Sequence, residues 1–197
     1  MKSDTVIYIH GKGGSTEEAA HYRALFPKAD VFGIEYHADT PWVVCREIAD
    51  EIKRLTDGKV ILIANSIGAF YAMHSDIEKI VEKAYFISPI VDMEYLIESM
   101  INRKVLMKKL FDRKAKFLQP IVWNFLGNIS HMSGTIRLFC AYQPRYYTGS
   151  LDHLTSYETI QDFQVKHNAG LTVMKGGEHW FHTKEQMEFL DRWIRNN

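Results

Sequence analysis

Residues 61–69 read ILIANSIGA, and this stretch decides the fold that the sequence predicts. The branched apolar run at 60–64 is typical of a strand buried on both faces of a parallel sheet. The run stops at Asn65 and Ser66, and helix-compatible residues follow at once. Ala64 and Gly68 flank the serine, as in the pattern G-x-S-x-G with alanine in place of the first glycine. Such a tight strand-to-helix turn holds a serine hydroxyl exposed above the sheet, at the positive end of the helix.

Strand-like and helix-like segments alternate along the chain, which is typical of a parallel sheet covered by helices on both faces. Short apolar segments are predicted as strands at 5–10, 31–36, 60–64, 83–87, 136–142 and 171–175. Helical spacing or start signals predict helices at 16–25, 42–56, 67–75, 153–167 and 183–195. Residues 15–18 are close to a capping box, and Pro41 after Thr40 is typical of a first helical turn. We therefore expect an α/β fold, a three-layer α/β/α sandwich around a mostly parallel six-stranded sheet.

One long segment interrupts the alternation. No strand is predicted between residues 92 and 134, and apolar residues at 95–101 have helical spacing. We interpret this segment as a group of helices inserted between the fourth and fifth strands. The chain of 197 residues shows no linker or repeat and fits one ordinary domain. We therefore expect a single domain over residues 1–197, with the insertion at 92–134.

Composition is that of a globular domain and narrows the range of partners. Hydrophobic residues make up 46% of the chain, and 24 basic residues balance 24 acidic ones. This balance does not favour a nucleic-acid partner, and no apolar run reaches the ~18 residues of a membrane span. Cys45 and Cys140 are expected to be buried free thiols rather than a disulfide framework. Since no signal peptide precedes the first strand, we expect a cytoplasmic protein. Whether it is a monomer or a homodimer stays open.

Ser66 is the candidate nucleophile, and capping of the following helix is its alternative role. A serine nucleophile needs a base, a group that orients the base, and donors for the oxyanion. The run HGKGG at 10–14 follows the first strand and can turn backbone N–H groups toward a bound oxygen. In a hydrolase these donors are the N–H groups of Lys12 and Ile67; otherwise the run is a simple turn. It matches neither of the common phosphate-binding glycine patterns.

Candidates for the acid and the base follow later strands. Asp152, in the sequence GSLD at 149–152, is the candidate acid, with helix capping as its alternative role. His179, in GGEHWF at 176–181, is the candidate general base, since the two glycines allow a mobile turn that brings the imidazole over the serine. Asp92 follows the fourth strand and is a rival for the acid, although we expect it to cap a helix.

His182 lies three residues beyond His179, and a metal-binding pair is an alternative role for the two histidines. No cluster of carboxylates or cysteines accompanies the two histidines, and we expect neither a metal nor a cofactor. The expected role of His182 is to start or cap the last helix.

Taken in order, these motifs resemble the α/β-hydrolase superfamily, and within it a small serine esterase with a helical cap. The resemblance spans nearly the whole chain, through the motifs at 10–14, 64–68, 149–152 and 176–181. Ser66, Asp152 and His179 follow the nucleophile–acid–base order of that fold. The resemblance therefore implies that these three residues form a catalytic triad.

The same resemblance implies the strand order 2-1-3-4-5-6, an oxyanion hole built by Lys12 and Ile67, and a cap formed by the insertion. Lys12 departs from the family, in which this residue is often apolar. Its side chain is expected to point to solvent, with attraction of an anionic substrate group as the alternative. The residues expected to contact substrate are Gly11, Trp123, Trp180 and Phe181.

The reaction that this resemblance implies is hydrolysis of a small carboxylic ester through an acyl-enzyme on Ser66. The same triad serves the hydrolysis of thioesters, amides and carbon–carbon bonds, so these alternatives stay open. A non-catalytic binding module is the alternative of another class, and it requires a missing triad member or a blocked pocket. The expected partner is a small ester-like molecule, with no nucleic acid and no membrane.

Overall fold

The computed structural model describes residues 4–37, 40–93, 95–96 and 144–197. The strands are β1 (Thr5–Ile9), β2 (Asp30–Ile34), β3 (Val60–Asn65), β4 (Val81–Ile87), β5 (Arg145–Gly149) and β6 (Gly170–Met174). The helices are α1 (Ala19–Arg23, after a 3-10 turn at Thr16–Glu18), α2 (Pro41–Leu55), α3 (Ile67–His74), α4 (Tyr157–Lys166) and α5 (Lys184–Asn196). Strands and helices alternate as predicted over these residues.

The strands form one sheet in the order β2-β1-β3-β4-β5-β6, and every pairing is parallel. β1 lies between β2 and β3, and its Val6, Ile7 and Ile9 are fully buried. A strand covered by helices on both faces needs apolar side chains in both directions, which explains its continuous apolar sequence. The predicted fold class and the strand order implied by the resemblance are confirmed.

The fifth strand lies later in the sequence than expected. The prediction at 136–142 falls outside the described residues, and the strand between β4 and β6 is Arg145–Gly149. Tyr146 and Tyr147 of this strand are completely buried. Tyr146 stacks on Phe86 of β4 with ring centroids 5.3 Å apart. Aromatic side chains fit such a pleated, buried surface well, so the short sequence RYYTG can serve as a strand.

Helices cover both faces of the sheet, and each face has its own apolar core. On one face, α2, α3 and α4 contribute Ile48, Ala72 and Phe163 to a single buried cluster. On the other face, α1 and α5 contribute Tyr22 and Trp193 to a second cluster. The first and last of the described helices therefore pack on the same side of the sheet.

Of the two predicted helix-start signals, the proline at 41 is confirmed and the capping box at 15–18 is wrong. Pro41 occupies the first turn of α2, directly after Thr40. Residues 15–18 do not form a capping box, because Ser15 makes no side-chain bond to the start of the 3-10 turn. The Glu18 carboxylate instead accepts a hydrogen bond from the Tyr8 hydroxyl.

The expectations about the cysteines, a membrane span and the insertion concern residues that the structure describes only in part. Cys45 lies in α2 as a buried free thiol, whereas Cys140 lies outside the described residues. Across the described ranges, no helix has both the length and the apolarity needed to span a membrane. The insertion at 92–134 lies almost wholly outside the described residues. The cap and the undivided domain therefore stay predictions.

Candidate active site

Ser66 lies at the turn between β3 and α3, in a backbone conformation that few non-glycine residues adopt. Its φ is 53° and its ψ is −121°, a conformation that costs on the order of 1–3 kcal/mol. The Ser66 N–H donates to the Ile87 carbonyl (2.9 Å), and the Ser66 carbonyl accepts from the Ile90 N–H (3.2 Å). The end of β4 and the loop directly after it therefore hold the turn on both sides of the serine.

Gly68 and Gly11 let the chain close tightly around this turn. A Cβ at Gly68 would lie 2.3 Å from the carbonyl oxygen of His10 and 2.8 Å from that of Ile9, too close for any side chain. A Cβ at Gly11 would lie 3.1 Å from the Cβ of Ser66. The loop after β1 and the serine turn are therefore in direct contact, and the last glycine of the G-x-S-x-G-like pattern has a steric cause.

The side chains of Ser66, His179 and Asp152 form one continuous hydrogen-bonded chain. Ser66 Oγ lies 2.7 Å from His179 Nε2, and His179 Nδ1 lies 2.7 Å from Asp152 Oδ2. Because a carboxylate can only accept, Nδ1 carries the proton, and the Nε2 lone pair is left to accept from the serine hydroxyl. The three residues follow β3, β6 and β5, whose carboxyl ends share one edge of the sheet, where ligands bind in open α/β folds.

Asp152 is held in place independently of the histidine. Its side chain is only 1% exposed, and Oδ1 accepts from the N–H groups of Leu154 (2.9 Å) and Thr155 (3.3 Å). The Thr148 hydroxyl donates to Oδ2 at 3.4 Å. These donors compensate a buried negative charge. Asp152 does not cap α4, contrary to its alternative role, because Ser156 is the N-cap.

The loops that carry the acid and the base are fastened to each other. The Leu151 N–H donates to the Gly177 carbonyl at 2.8 Å. A Cβ at Gly149 would lie 2.1 Å from the same oxygen, so only glycine permits this approach of two backbones. The contact sets the separation of Asp152 and His179, which lie just beyond it on the two loops.

The loop after β1 leaves a backbone donor beside Ser66. His10 Nδ1–H donates to the Gly11 carbonyl at 2.8 Å, and in a trans peptide the Lys12 N–H points the opposite way. Neither this N–H nor the Ile67 N–H, the first of α3, has an acceptor within the described residues. An oxyanion hole requires two such N–H groups, without an acceptor in the protein and next to the serine hydroxyl.

Asp92 and His182, the alternatives for the acid and for a metal ligand, have other contacts. Asp92 Oδ1 accepts from the Tyr95 N–H at 2.8 Å, as in a helix cap. The His182 N–H donates to Gln186 Oε1 at 3.1 Å, at the start of α5. In the part of the chain that the structure describes, no group of three or more His, Cys, Asp or Glu side chains is arranged to hold a metal ion.

A pocket of about 270 Å³ opens at Ser66 and is lined by Gly11, Lys12, Gly13, Gly14, Glu18, Asn65, Ser66, His179 and Trp180. Lys12 is both exposed and part of this lining, so its side chain lies at the rim of the pocket. Phe181 is 8% exposed and packs on Tyr147, with ring centroids 4.5 Å apart, so it lies beside this pocket rather than in its wall. Trp123 lies outside the described residues.

Glu18 and Asn65 line the pocket, although sequence reasoning missed both. Glu18 lies in a first helical turn, where an acidic residue ordinarily serves the helix itself. Its contact with Tyr8 joins a turn to a strand, and local spacing does not predict such a contact. Asn65 directly precedes the candidate nucleophile, and this adjacency could have predicted its place in the pocket lining.

No family model matches the sequence, and no curated protein sequence matches it. Solved structures do match the fold along nearly the whole chain. A carboxylesterase of the thaumarchaeon Nitrososphaera gargenis is 17% identical with a TM-score of 0.63, and the match covers 98% of this chain and 90% of the other. For alpha/beta hydrolase domain-containing protein 10 from mouse, the identity is 14%, the TM-score 0.67 and the coverage 100% and 90%.

A third match is the thioesterase domain from the curacin biosynthetic pathway. It is 14% identical with a TM-score of 0.64, and the match covers 98% of this chain and 91% of that domain. At such identities, similarity of structure establishes the fold and not the reaction. The chain has the α/β-hydrolase fold.

Proposed function

We propose that this chain is a serine hydrolase that cleaves carboxylic esters through an acyl-enzyme. The observation that carries the proposal is the hydrogen-bonded chain from Ser66 through His179 to Asp152, with 2.7 Å at each link. A serine that only capped α3 would accept a hydrogen bond from a backbone N–H of the first turn. Ser66 accepts no such bond, and its hydroxyl faces the imidazole instead.

In the proposed first half-reaction, Ser66 Oγ bonds to the ester carbonyl carbon while His179 Nε2 takes the hydroxyl proton. Asp152 holds the ring and stabilises the imidazolium that forms. The proton then passes from Nε2 to the leaving alcohol as its C–O bond breaks, and the acyl group stays on Ser66. In the second half-reaction, His179 takes a proton from water as the water oxygen bonds to the acyl carbon. The bond between Ser66 Oγ and the acyl carbon then breaks, Ser66 regains its proton from His179, and the carboxylic acid leaves.

The negative charge of each tetrahedral intermediate lies on the former carbonyl oxygen. In the proposed mechanism the N–H groups of Lys12 and Ile67 donate to this oxygen. One such donor is typically worth ~3 kcal/mol in the transition state. The positive end of α3 points at the same place and favours the same charge. Only backbone atoms of Lys12 are needed, so its departure from an apolar residue is compatible with the role.

A thioester is a second candidate substrate, since one structure of the same fold is a thioesterase domain. The triad chemistry is the same, and the difference lies in the leaving group. A thiol has a pKa of about 8.5, far below that of an alcohol, so its departure depends less on a proton from His179. Matched pairs of acetyl esters and acetyl thioesters would rank the two classes by kcat/KM.

Steady-state hydrolysis of p-nitrophenyl acetate tests the proposal. We expect Ser66→Ala to lower kcat/KM by ~10³-fold or more. Ser15→Ala is the matched control, because Ser15 is exposed, makes no side-chain bond at the helix start and does not line the pocket. It should keep the wild-type rate. Turnover that survives Ser66→Ala would exclude Ser66 as the nucleophile.

A further inference from the structure

A second cavity opens beside the Ser66 pocket, between β1, α1 and α5. Its volume is about 190 Å³, and it is lined by Tyr8, Glu18, Tyr22, Asn65, Ile87, Trp180, Phe181, Met187 and Leu190. Glu18, Asn65 and Trp180 also line the pocket at Ser66, so the two spaces are adjacent. We call the second space the side cavity. It gives a substituent of a substrate held at Ser66 a place to bind.

The Glu18 carboxylate is held where the two spaces meet. The Tyr8 hydroxyl donates to Glu18 Oε2. Glu18 Oε1 lies 2.7 Å from the position that a Cβ on Gly14 would take, so the carboxylate packs against the loop after β1. Within the described ranges, no lysine, arginine or histidine nitrogen lies within 4.0 Å of this carboxylate. One of its oxygens therefore has a hydroxyl donor, while no cation of the described residues pairs with its negative charge.

Aromatic side chains line the side cavity next to this charge. The rings of Tyr8 and Tyr22 have centroids 5.0 Å apart, and Trp180 is 71% exposed at the shared wall. Burial raises the pKa of both tyrosines well above the usual range, and the charge of Glu18 adds to this effect. Both therefore stay neutral phenols, with electron-rich ring faces. A carboxylate and aromatic side chains lining one cavity are the groups that bind an organic cation.

The geometry points to the side cavity as the binding site for a positively charged amine or quaternary ammonium group of the substrate. This cation site rests on the proposed function, because the cation would be one part of an ester held at Ser66. Glu18 supplies the opposite charge, and Tyr8, Tyr22 and Trp180 supply the aromatic surface.

A favourable interaction of its charge with the helix start does not by itself explain the position of the Glu18 carboxylate. Glu17 offers the same charge to the same first turn. Glu17 has neither the contact with Tyr8 nor a place in the lining of the pocket or of the side cavity. Glu17 therefore shares with Glu18 the favourable interaction with the helix start but not the contacts at the side cavity. A substitution of Glu17 is the control for a substitution of Glu18.

Pairs of esters with the same shape and different charge test the cation site. On the acyl side, the p-nitrophenyl ester of 4-(trimethylammonio)butanoate is compared with that of 5,5-dimethylhexanoate. On the alcohol side, acetylcholine is compared with 3,3-dimethylbutyl acetate. In each pair a quaternary nitrogen replaces a quaternary carbon. We expect kcat/KM to favour the cationic member by about tenfold in at least one pair, and that pair identifies which part of the ester enters the side cavity.

The variant Glu18→Gln tests the charge itself. Glutamine keeps an oxygen that accepts from Tyr8 and removes the negative charge. We therefore expect the kcat/KM ratio of the cationic to the neutral ester to fall toward one. Glu17→Gln removes the same charge one residue away and should keep the wild-type ratio. Added salt should lower the ratio in the wild-type protein and have little effect on it in Glu18→Gln.

Two outcomes would overturn the cation site and leave the proposed function standing. One is equal kcat/KM for both members of both pairs in the wild-type protein, since turnover itself would be observed. The other is a cation preference that survives Glu18→Gln. If no ester is hydrolysed and Ser66→Ala changes nothing, the proposed function fails, and the cation site fails with it.

Discussion

Ser66 keeps a strained backbone, with φ of 53°, because its neighbours leave it no relaxed alternative. Ile87 at the end of β4 binds its N–H, and Ile90 just beyond that strand binds its carbonyl. Gly68 lets the His10 carbonyl approach to where a side chain would stand. Strain of about 1–3 kcal/mol is thus held by ordinary backbone contacts. The hydroxyl stands 2.7 Å from His179 Nε2, within the hydrogen-bond distance that proton transfer to a general base requires.

Asp152→Asn tests the orientation of His179. Asparagine can keep the oxygen that accepts from Leu154 and Thr155, so we expect the fold to be retained. Its amide nitrogen would then face His179 Nδ1 and could not accept that proton, which favours the wrong tautomer of the ring. We expect kcat to fall by ~10³–10⁴-fold at neutral pH, measured by steady-state ester hydrolysis.

Asp92→Asn is the matched control for this variant. Asp92 accepts from the Tyr95 N–H and makes no contact with His179 in the described part of the chain. Asparagine caps helices about as well as aspartate, so kcat should stay within about twofold of the wild-type value. If Asp92→Asn were as damaging as Asp152→Asn, the loss would not be specific to Asp152 and would no longer support its assignment as the acid.

The proximity of Ser66, Asp152 and His179 was predictable from the sequence because each lies within five residues after the end of a strand, with small residues nearby. Parallel strands bring such positions to one edge of the sheet, whatever lies between them in sequence. Glu18 was not predictable in the same way. Its role depends on a contact with Tyr8, and the nearby residues indicate only a helix start.

Among the elements, β5 shows where local pattern is insufficient. Its five residues begin with Arg145 and end with Gly149, so they lack the continuous apolar run of β1 or β3. The strand is defined by its neighbours, through pairing of residues 145–147 with residues 85–87 of β4. The late start of α4 has a related cause, since Leu154 and Thr155 donate to Asp152 instead of entering the helix.

The start of α5 offers a test at the element scale. Thr183 Oγ1 accepts from the Gln186 N–H at 3.3 Å, and Gln186 Oε1 accepts from the Thr183 N–H at 3.2 Å. Thr183→Ala removes the first of these bonds and leaves a buried Gln186 with one partner fewer. We expect the free energy of unfolding to fall by about 1 kcal/mol, measured by chemical denaturation.

Thr40→Ala is the control for the capping bond. Thr40 is the N-cap of α2, but its side chain makes no capping hydrogen bond. The same substitution there should cost only a few tenths of a kcal/mol. Equal losses for Thr40→Ala and Thr183→Ala would show that the capping box contributes nothing of its own.

For the molecule as a whole, two apolar cores enclose the sheet and bury it on both faces. α1 and α5 share one core, while α2, α3 and α4 share the other. The candidate site lies at the carboxyl edge of the sheet, so its loops are fixed by both layers. The fold class could be predicted because strand-like and helix-like patterns of apolar residues alternate along the chain, and this alternation indicates a sheet covered by helices. Contacts between side chains of different layers do not follow from such patterns.

Cys45 reports on the packing of α2 against the sheet. Burial raises the pKa of its thiol to about 12, and the thiol lies 3.4 Å from the Tyr71 carbonyl. At pH 8 the thiol is therefore almost entirely protonated, and the thiolate is the reactive form. We expect iodoacetamide to leave Cys45 unmodified in the native protein and to modify it fully in denaturant, measured on the Cys45 peptide by mass spectrometry. Rapid modification in native buffer would contradict the burial of this helix face.

The nucleophilic role of Ser66 is tested most directly by intact-mass spectrometry after reaction with a fluorophosphonate. We predict that the wild-type chain gains one phosphonyl group, located on the peptide that contains Ser66. Ser66→Ala should gain none, and His179→Ala should react far more slowly because no base takes the serine proton. A folded wild-type chain that stays unmodified, or that is modified elsewhere while Ser66 stays free, would contradict the assignment of Ser66 as the nucleophile.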